Sequence, residues 1–101
     1  MGKFTINHDV KQPVDEAFEK VQQVLSKGDE LKKYDPKIDC SFDSASKTCK
    51  IKGSQFKADL QVSSKGSGSL ISVTVDLPLL LTPFKGKITE SLVKLFSKHL
   101  G

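Results

Sequence analysis

Residues 37–77 read KIDCSFDSASKTCKIKGSQFKADLQVSSKGSGSLISVTVDL, and the fold turns on the period of that stretch. Apolar side chains recur at every second position: Ile38, Cys40 and Phe42, then Cys49 and Ile51, then Phe56, Ala58, Leu60 and Val62, then Ile71, Val73, Val75 and Leu77. Polar residues such as Asp39, Ser41, Lys50, Lys57, Asp59, Ser72 and Thr74 stand between them. Side chains alternate faces along a strand, so this pattern predicts four strands, each with one buried and one wet face. The SASK segment at 44–47 turns the chain. Gly53-Ser54 reads as a two-residue hairpin turn with Gly at its first central position, which places Ile51 opposite Phe56 and Cys49 opposite Ala58. SSKGSGS at 63–69 reads as a loose, flexible connection.

Upstream, residues 3–9 alternate in the same way, with Phe4, Ile6 and His8 on one face of a further strand. A helical period follows: Val14, Phe18, Val21 and Leu25 form a narrow apolar stripe. Pro13 suits the first helical position, Asp15 and Glu16 suit the positive end of the helix dipole, and Gly28 is a stop. Residues 29–35 are expected to add a short turn or loop. Downstream, Thr82-Pro83 reads as an N-cap followed by proline at the first helical position. Phe84, Ile88, Leu92, Leu95 and Phe96 then share one helical face with His99, and Lys87, Glu90, Lys94 and Lys98 take the opposite arc. The order is β-α-β-β-β-β-α. It predicts an α+β fold, a five-stranded antiparallel sheet in the order 1-5-4-3-2 with both helices on one face. By fold-level analogy this is a TATA-binding-protein-like or helix-grip arrangement, which says nothing secure about function.

A chain of 101 residues supports one modest core, so residues 1–101 are expected to form a single domain. No apolar run reaches the ~18 residues of a membrane-spanning helix. The opening MGKFTINHDV has no continuous apolar stretch, so no signal peptide is expected, and Ile6 stands where a myristoylation pattern takes Ser or Thr. The expected compartment is the cytoplasm. Net charge is +4, and all 16 basic residues are Lys. Bidentate reading of phosphates or guanine edges favours Arg, so this composition weakens the case for specific nucleic-acid recognition.

Candidate chemical sites are few. Cys40, Cys49, His8 and His99 are metal-ligand types but lack CxxC or HxxxH spacing, and the cysteines lie far from His8 across the predicted sheet. Cys40 and Cys49 read as small buried hydrophobes on neighbouring strands, able to form a disulfide but kept reduced in a cytosolic chain. His8 reads as a hydrogen-bonded core residue and His99 as a packing residue with a wet edge. Neither histidine has a nucleophile or carboxylate at a spacing that suggests a triad, and no Gly-rich loop ends in GK[ST]. The expectation is no enzyme and no cofactor. On the outward sheet face Lys3, Lys50, Lys52 and Lys57 are balanced by Asp39, Asp43, Asp59 and Asp76, and no aromatic is available for base stacking. That face reads as solvated surface or half of a dimer interface.

The remaining feature is DLPLLLTPF at 76–84. Leu77, Leu79 and one other leucine can close the end of the core, which leaves the rest of the run exposed beside Lys85, Lys87, Lys94 and Lys98. Exposed apolar groups beside lysines suit an apolar or anionic interface or a partner protein.

The segment VTVDLPLLLTPFKGKITESLVKLFSKHL at 73–100 resembles the C-terminal signature of the bacterial putative polyhydroxyalkanoic acid system proteins. That signature runs from a strand through a leucine-rich turn (Leu79, Leu80, Leu81), a Pro83-Phe84 pair and Lys85-Gly86-Lys87-Ile88 to a closing amphipathic helix. The resemblance implies a small granule-region protein without catalytic residues to carry over, at or near the surface of storage-polyester granules. The expectation is therefore an accessory or binding protein, monomeric or homodimeric, whose partner is the polyester granule surface or a granule coat protein. Leu79, Leu80, Leu81 and Phe84 would make apolar contact, with electrostatic assistance from Lys85, Lys87 and Lys94. One alternative is a carrier of small apolar ligands, with a cavity lined by Phe56, Leu60, Val73 and Leu92. A second is a basic nucleic-acid accessory protein.

Overall fold

The computed structural model of the chain describes residues 2–27, 32, 36–54 and 56–100. Strand β1 (Gly2–Val10) leads into helix α1 (Val14–Lys27), and strands β2 (Asp39–Asp43), β3 (Thr48–Lys52), β4 (Lys57–Lys65) and β5 (Gly68–Leu77) follow. A 3-10 turn at Leu79–Phe84 then joins helix α2 (Lys85–Leu100). All strand pairs are antiparallel, and the five strands lie in the predicted order β1-β5-β4-β3-β2. Period-two patterning puts Ile6, Val10, Cys49, Ile51, Ala58, Leu60, Val62, Ile71, Val73, Val75 and Leu77 on one buried face. Helix α1 covers β2, β4 and β5, α2 covers β1, and the helices touch each other, so both lie on that face. Helix α1 buries Ala17, Phe18, Val21 and Leu25; helix α2 buries Ile88, Leu92, Leu95, Phe96 and Leu100.

Several local expectations are corrected. The β3–β4 connection is residues 53–56, closed by Gly53 N–H donating to the Phe56 carbonyl at 2.9 Å, and not a two-residue turn. Ile51 therefore faces Ala58 and Cys49 faces Leu60. The register moves by two residues, which keeps every side chain on its predicted face. SSKGSGS is no loose loop: β4 runs to Lys65 and β5 starts at Gly68, opposite each other, around a two-residue turn with Gly66 at φ 60°. Ser69 is thereby buried, and its hydroxyl donates to the Gln12 carbonyl at 2.7 Å. Helix α1 begins at Val14, with Pro13 one residue before it, accepting at its carbonyl from the Ala17 N–H. Thr82 and Pro83 lie inside the 3-10 turn, and α2 opens at Lys85. His99 is exposed, and in the last turn of α2 Leu100 is buried instead. The stop expected at Gly28 and the turn expected at 29–35 lie, Lys32 apart, outside the described residues.

Candidate functional site

The leucine run begins where β5 stops. Leu77 is the last paired residue of β5 and is buried. Pro78 is extended, at φ −63° and ψ 156°, and has no N–H to carry the strand ladder further. The chain then coils at once, with the Leu81 N–H donating to the Pro78 carbonyl at 2.9 Å. At three residues per turn, side chains three apart eclipse, so six residues cannot all face the core. Leu81 is half-buried and packs against it. Leu79, Leu80 and Phe84 stay out, at 75%, 89% and 43% exposure. Of the leucines expected to close the core, Leu77 and Leu81 do so and Leu79 does not.

Two lysines frame this apolar patch. The Lys85 Nζ sits 5.1 Å from the centre of the half-buried Phe4 ring on β1, a cation–π contact that holds the charge at the patch edge. Lys87 is exposed on the first turn of α2. Lys94 is elsewhere: nine residues beyond Lys85 is about 14 Å along a helix axis. It is ion-paired with Glu90 at 2.9 Å. The fold thus gathers Leu79, Leu80, Phe84, Lys85 and Lys87, turns Leu81 inward and leaves Lys94 apart. Phe4 was missed as the partner of Lys85, since only the β1–β5 pairing brings residue 4 to this end of the chain.

A cavity does lie between the sheet and the first half of α2, lined by Phe56, Val73 and Leu92 as expected, with Ile51, Ala58, Val75, Ile88 and Ser91 but without Leu60. Its volume is about 20 Å³, room for roughly one water, whereas ligand sites run to about 300–1,000 Å³. On the outward sheet face the register sets Lys3 and Lys57 opposite Asp76, Lys50 opposite Asp59 and Lys52 opposite Asp39. Between them Thr5 bonds Thr74 at 3.2 Å, and Ser72 donates to Asn7 at 2.7 Å. Lys52 also faces Lys57, but with Asp43 on the same face the four lysines meet four aspartates, which leaves no positive surplus among them for a polyanion.

Among the described residues no three His, Cys, Asp or Glu side chains converge as a metal site. His8 rests its ring 5.9 Å from that of Phe96, and its buried Nε2 has no hydrogen-bond partner. Cys40 and Cys49 are both free thiols. They face the same side, and the Cys49 thiol hydrogen-bonds the Cys40 sulfur, which holds the Cys40 pKa below the usual thiol value against burial and the Asp39 charge. The same bond, with burial, pushes Cys49 up.

Residues 4–100 match the protein family described as "Putative polyhydroxyalkanoic acid system protein". The chain belongs to this family. The polyhydroxyalkanoic acid system match takes in the leucine-rich turn, helices α1 and α2, strands β2 to β5 and all but the first two residues of β1. No curated protein matches the chain in sequence. Solved structures share its fold at low identity. One domain's worth of the di-domain aromatase/cyclase BexL of the BE-7585A biosynthetic pathway superposes with a TM-score of 0.72 at 8% identity, covering 98% of this chain and 46% of that one. A START superfamily protein from Mycobacterium smegmatis gives 0.64 at 11% identity, over 97% and 96% of the two chains. Ara h 8.0201 gives 0.56 at 15% identity, over 98% and 97%. The fold is therefore the expected helix-grip arrangement, like that of START and Bet v 1-like proteins. No helix among the described residues is long and apolar enough to cross a membrane.

Proposed function

We propose that this polyhydroxyalkanoic acid system protein is a non-enzymatic accessory protein of the cytoplasm that docks on polyester storage granules or their coat proteins. The docking surface is the 3-10 turn, with Leu79, Leu80 and Phe84 in contact, Leu81 anchoring the turn to the core, and Lys85 and Lys87 beside them. The observation that carries this reading is the exposure of Leu79 and Leu80 at 75% and 89%, within a family linked to the polyester system. Burying two leucine side chains yields about 3–6 kcal/mol before the costs of association, enough for weak and reversible docking. The carrier reading would need room that the cavity behind Phe56 lacks, at about 20 Å³.

The test is co-sedimentation with polyhydroxybutyrate particles, bare or carrying their coat proteins, at low and high salt, for wild type and Leu80→Glu. Wild type is expected to pellet and Leu80→Glu, with an unchanged circular dichroism spectrum, to stay in the supernatant. Equal pelleting of the two proteins, or none by wild type on either particle, overturns the reading.

A further inference from the structure

The β2–β3 hairpin carries a pair of thiols that the docking surface does not use. Register sets Cys40 opposite Ile51 and Cys49 opposite Phe42, so the two cysteines are diagonal neighbours on the helix-facing side of adjacent strands. Diagonal same-face neighbours on paired strands lie about 7–8 Å apart between backbones, and each thiol shifts the ionisation of the other. Their surroundings differ. Cys49 is 1% exposed, whereas Cys40 is half-buried on an edge strand and lines a cleft of about 270 Å³ with Leu25, Ser26, Lys32, Ile38, Asp39 and Phe42. Cys40 thus borders the cleft, and Cys49 beside it is buried.

We infer that Cys40 and Cys49 form a peroxide-oxidisable dithiol, in which Cys40 is the attacked sulfur and Cys49 resolves it to an intramolecular disulfide. The substrate class is a hydroperoxide small enough for the cleft. The Cys40 thiolate attacks one peroxide oxygen, the O–O bond breaks, and the departing alkoxide or hydroxide takes a proton from water. Cys40 is now a sulfenic acid, oxidised by two electrons, and the peroxide is reduced to an alcohol or water. Cys49 then attacks the Cys40 sulfur, the S–O bond breaks, and the leaving hydroxide takes the Cys49 proton to form water. The electrostatics favour this order, because Cys49 holds the Cys40 thiol below its usual pKa, with help from Lys32, against burial and the Asp39 charge. Diagonal neighbours must shift to reach disulfide geometry, and β2, an edge strand, is paired on one side only.

The experiment exposes the full chain to hydrogen peroxide and follows free thiols, intact mass and peptide mapping. Wild type is expected to lose both thiols and two hydrogens, to stay monomeric on a non-reducing gel, and to yield a linked Cys40–Cys49 peptide. Its thiols should disappear about tenfold faster than that of Cys40→Ser. Cys49→Ser, or Cys49→Ala if the serine variant folds poorly, should accumulate a sulfenic acid on Cys40 that a dione nucleophile traps. Persistence of both thiols in wild type overturns the inference, as does an intermolecular disulfide. Equal rates for wild type and Cys40→Ser, or absence of trapped sulfenic acid in both Cys49 variants, overturns the assignment of Cys40 as the attacked sulfur.

Discussion

Leu77, at the end of β5, and Leu80, in the 3-10 turn, have opposite fates, 2% and 89% exposed, so the two separate folding from docking. Leu77→Ala removes buried carbons from the end of the core and is expected to cost about 2–5 kcal/mol of stability. Leu80→Ala removes the same atoms from solvent and should stay within about 0.5 kcal/mol of wild type. For docking the ranking reverses. Truncating Leu80 deletes roughly 2 kcal/mol of burial at a particle surface, a drop of about thirtyfold in partitioning, while folded Leu77→Ala should partition like wild type. The chain has no Trp and one Tyr, so urea unfolding is best followed by far-ultraviolet circular dichroism, with particle titration read by sedimentation. A stability loss above about 1 kcal/mol for Leu80→Ala would mean that the turn packs Leu80 against protein. Unchanged partitioning with unchanged stability would mean that the exposed leucine touches nothing that matters on the particle. Either result refutes the reasoning.

Three further outcomes test the frame that presents the turn. Gly68→Ala puts a Cβ into the Val10 carbonyl oxygen, backbone against backbone, and should lower stability by about 1–3 kcal/mol; an unchanged urea midpoint would refute the close approach. Ser69→Ala strands the Gln12 carbonyl, which accepts from that hydroxyl at 2.7 Å, and should cost about 1–3 kcal/mol, read in the same assay. Asp43 accepts hydrogen bonds from the Ser46 hydroxyl and from the N–H groups of Ala45 and Ser46, which lower its pKa. A lowered carboxylate stabilises the fold above its unfolded pKa and loses that contribution as pH falls through the folded value. Asp43→Asn should therefore be less stable than wild type near neutral pH and equal to it in acid; a gap that persists in acid would refute the charge argument.

Strand number, sheet order and the buried face were legible because period-two patterning survives local error. The β3–β4 turn is the clearest case. The Gly53-Ser54 signal misplaces the register by two, yet Cys49, Ile51, Ala58 and Leu60 remain inward, since only an odd slip would expose them. Turn composition misled twice. SSKGSGS looked flexible, but serines alternate in strands as readily as any polar residue, and one of them, Ser69, pairs with a carbonyl that only the β1–β5 contact supplies. Thr82-Pro83 carried a helix-start signature, but tight coiling had already begun at Leu79. At the candidate site, the separation of Leu81 from Leu79 and Leu80 was not readable, because three consecutive identical residues contain no period. It is decided by the position of the strand end relative to the core.

That separation sharpens what the leucines do. The reversal between β5 and α2 needs Leu77 and Leu81 for the core and Pro78 to stop the strand; polar residues at 79 and 80 would serve it equally well. Two leucines held in solvent are a solubility liability unless something covers them. Lys85 and Lys87 admit two roles, and salt separates them. If they attract an anionic granule coat, high salt screens that attraction and weakens pelleting on coated particles. If they only keep the apolar patch dispersed, screening leaves burial intact, and pelleting on bare polyester holds or strengthens as salt rises. Lys87→Gln, which leaves the Lys85–Phe4 contact in place, should flatten the salt dependence in the first case and leave it unchanged in the second.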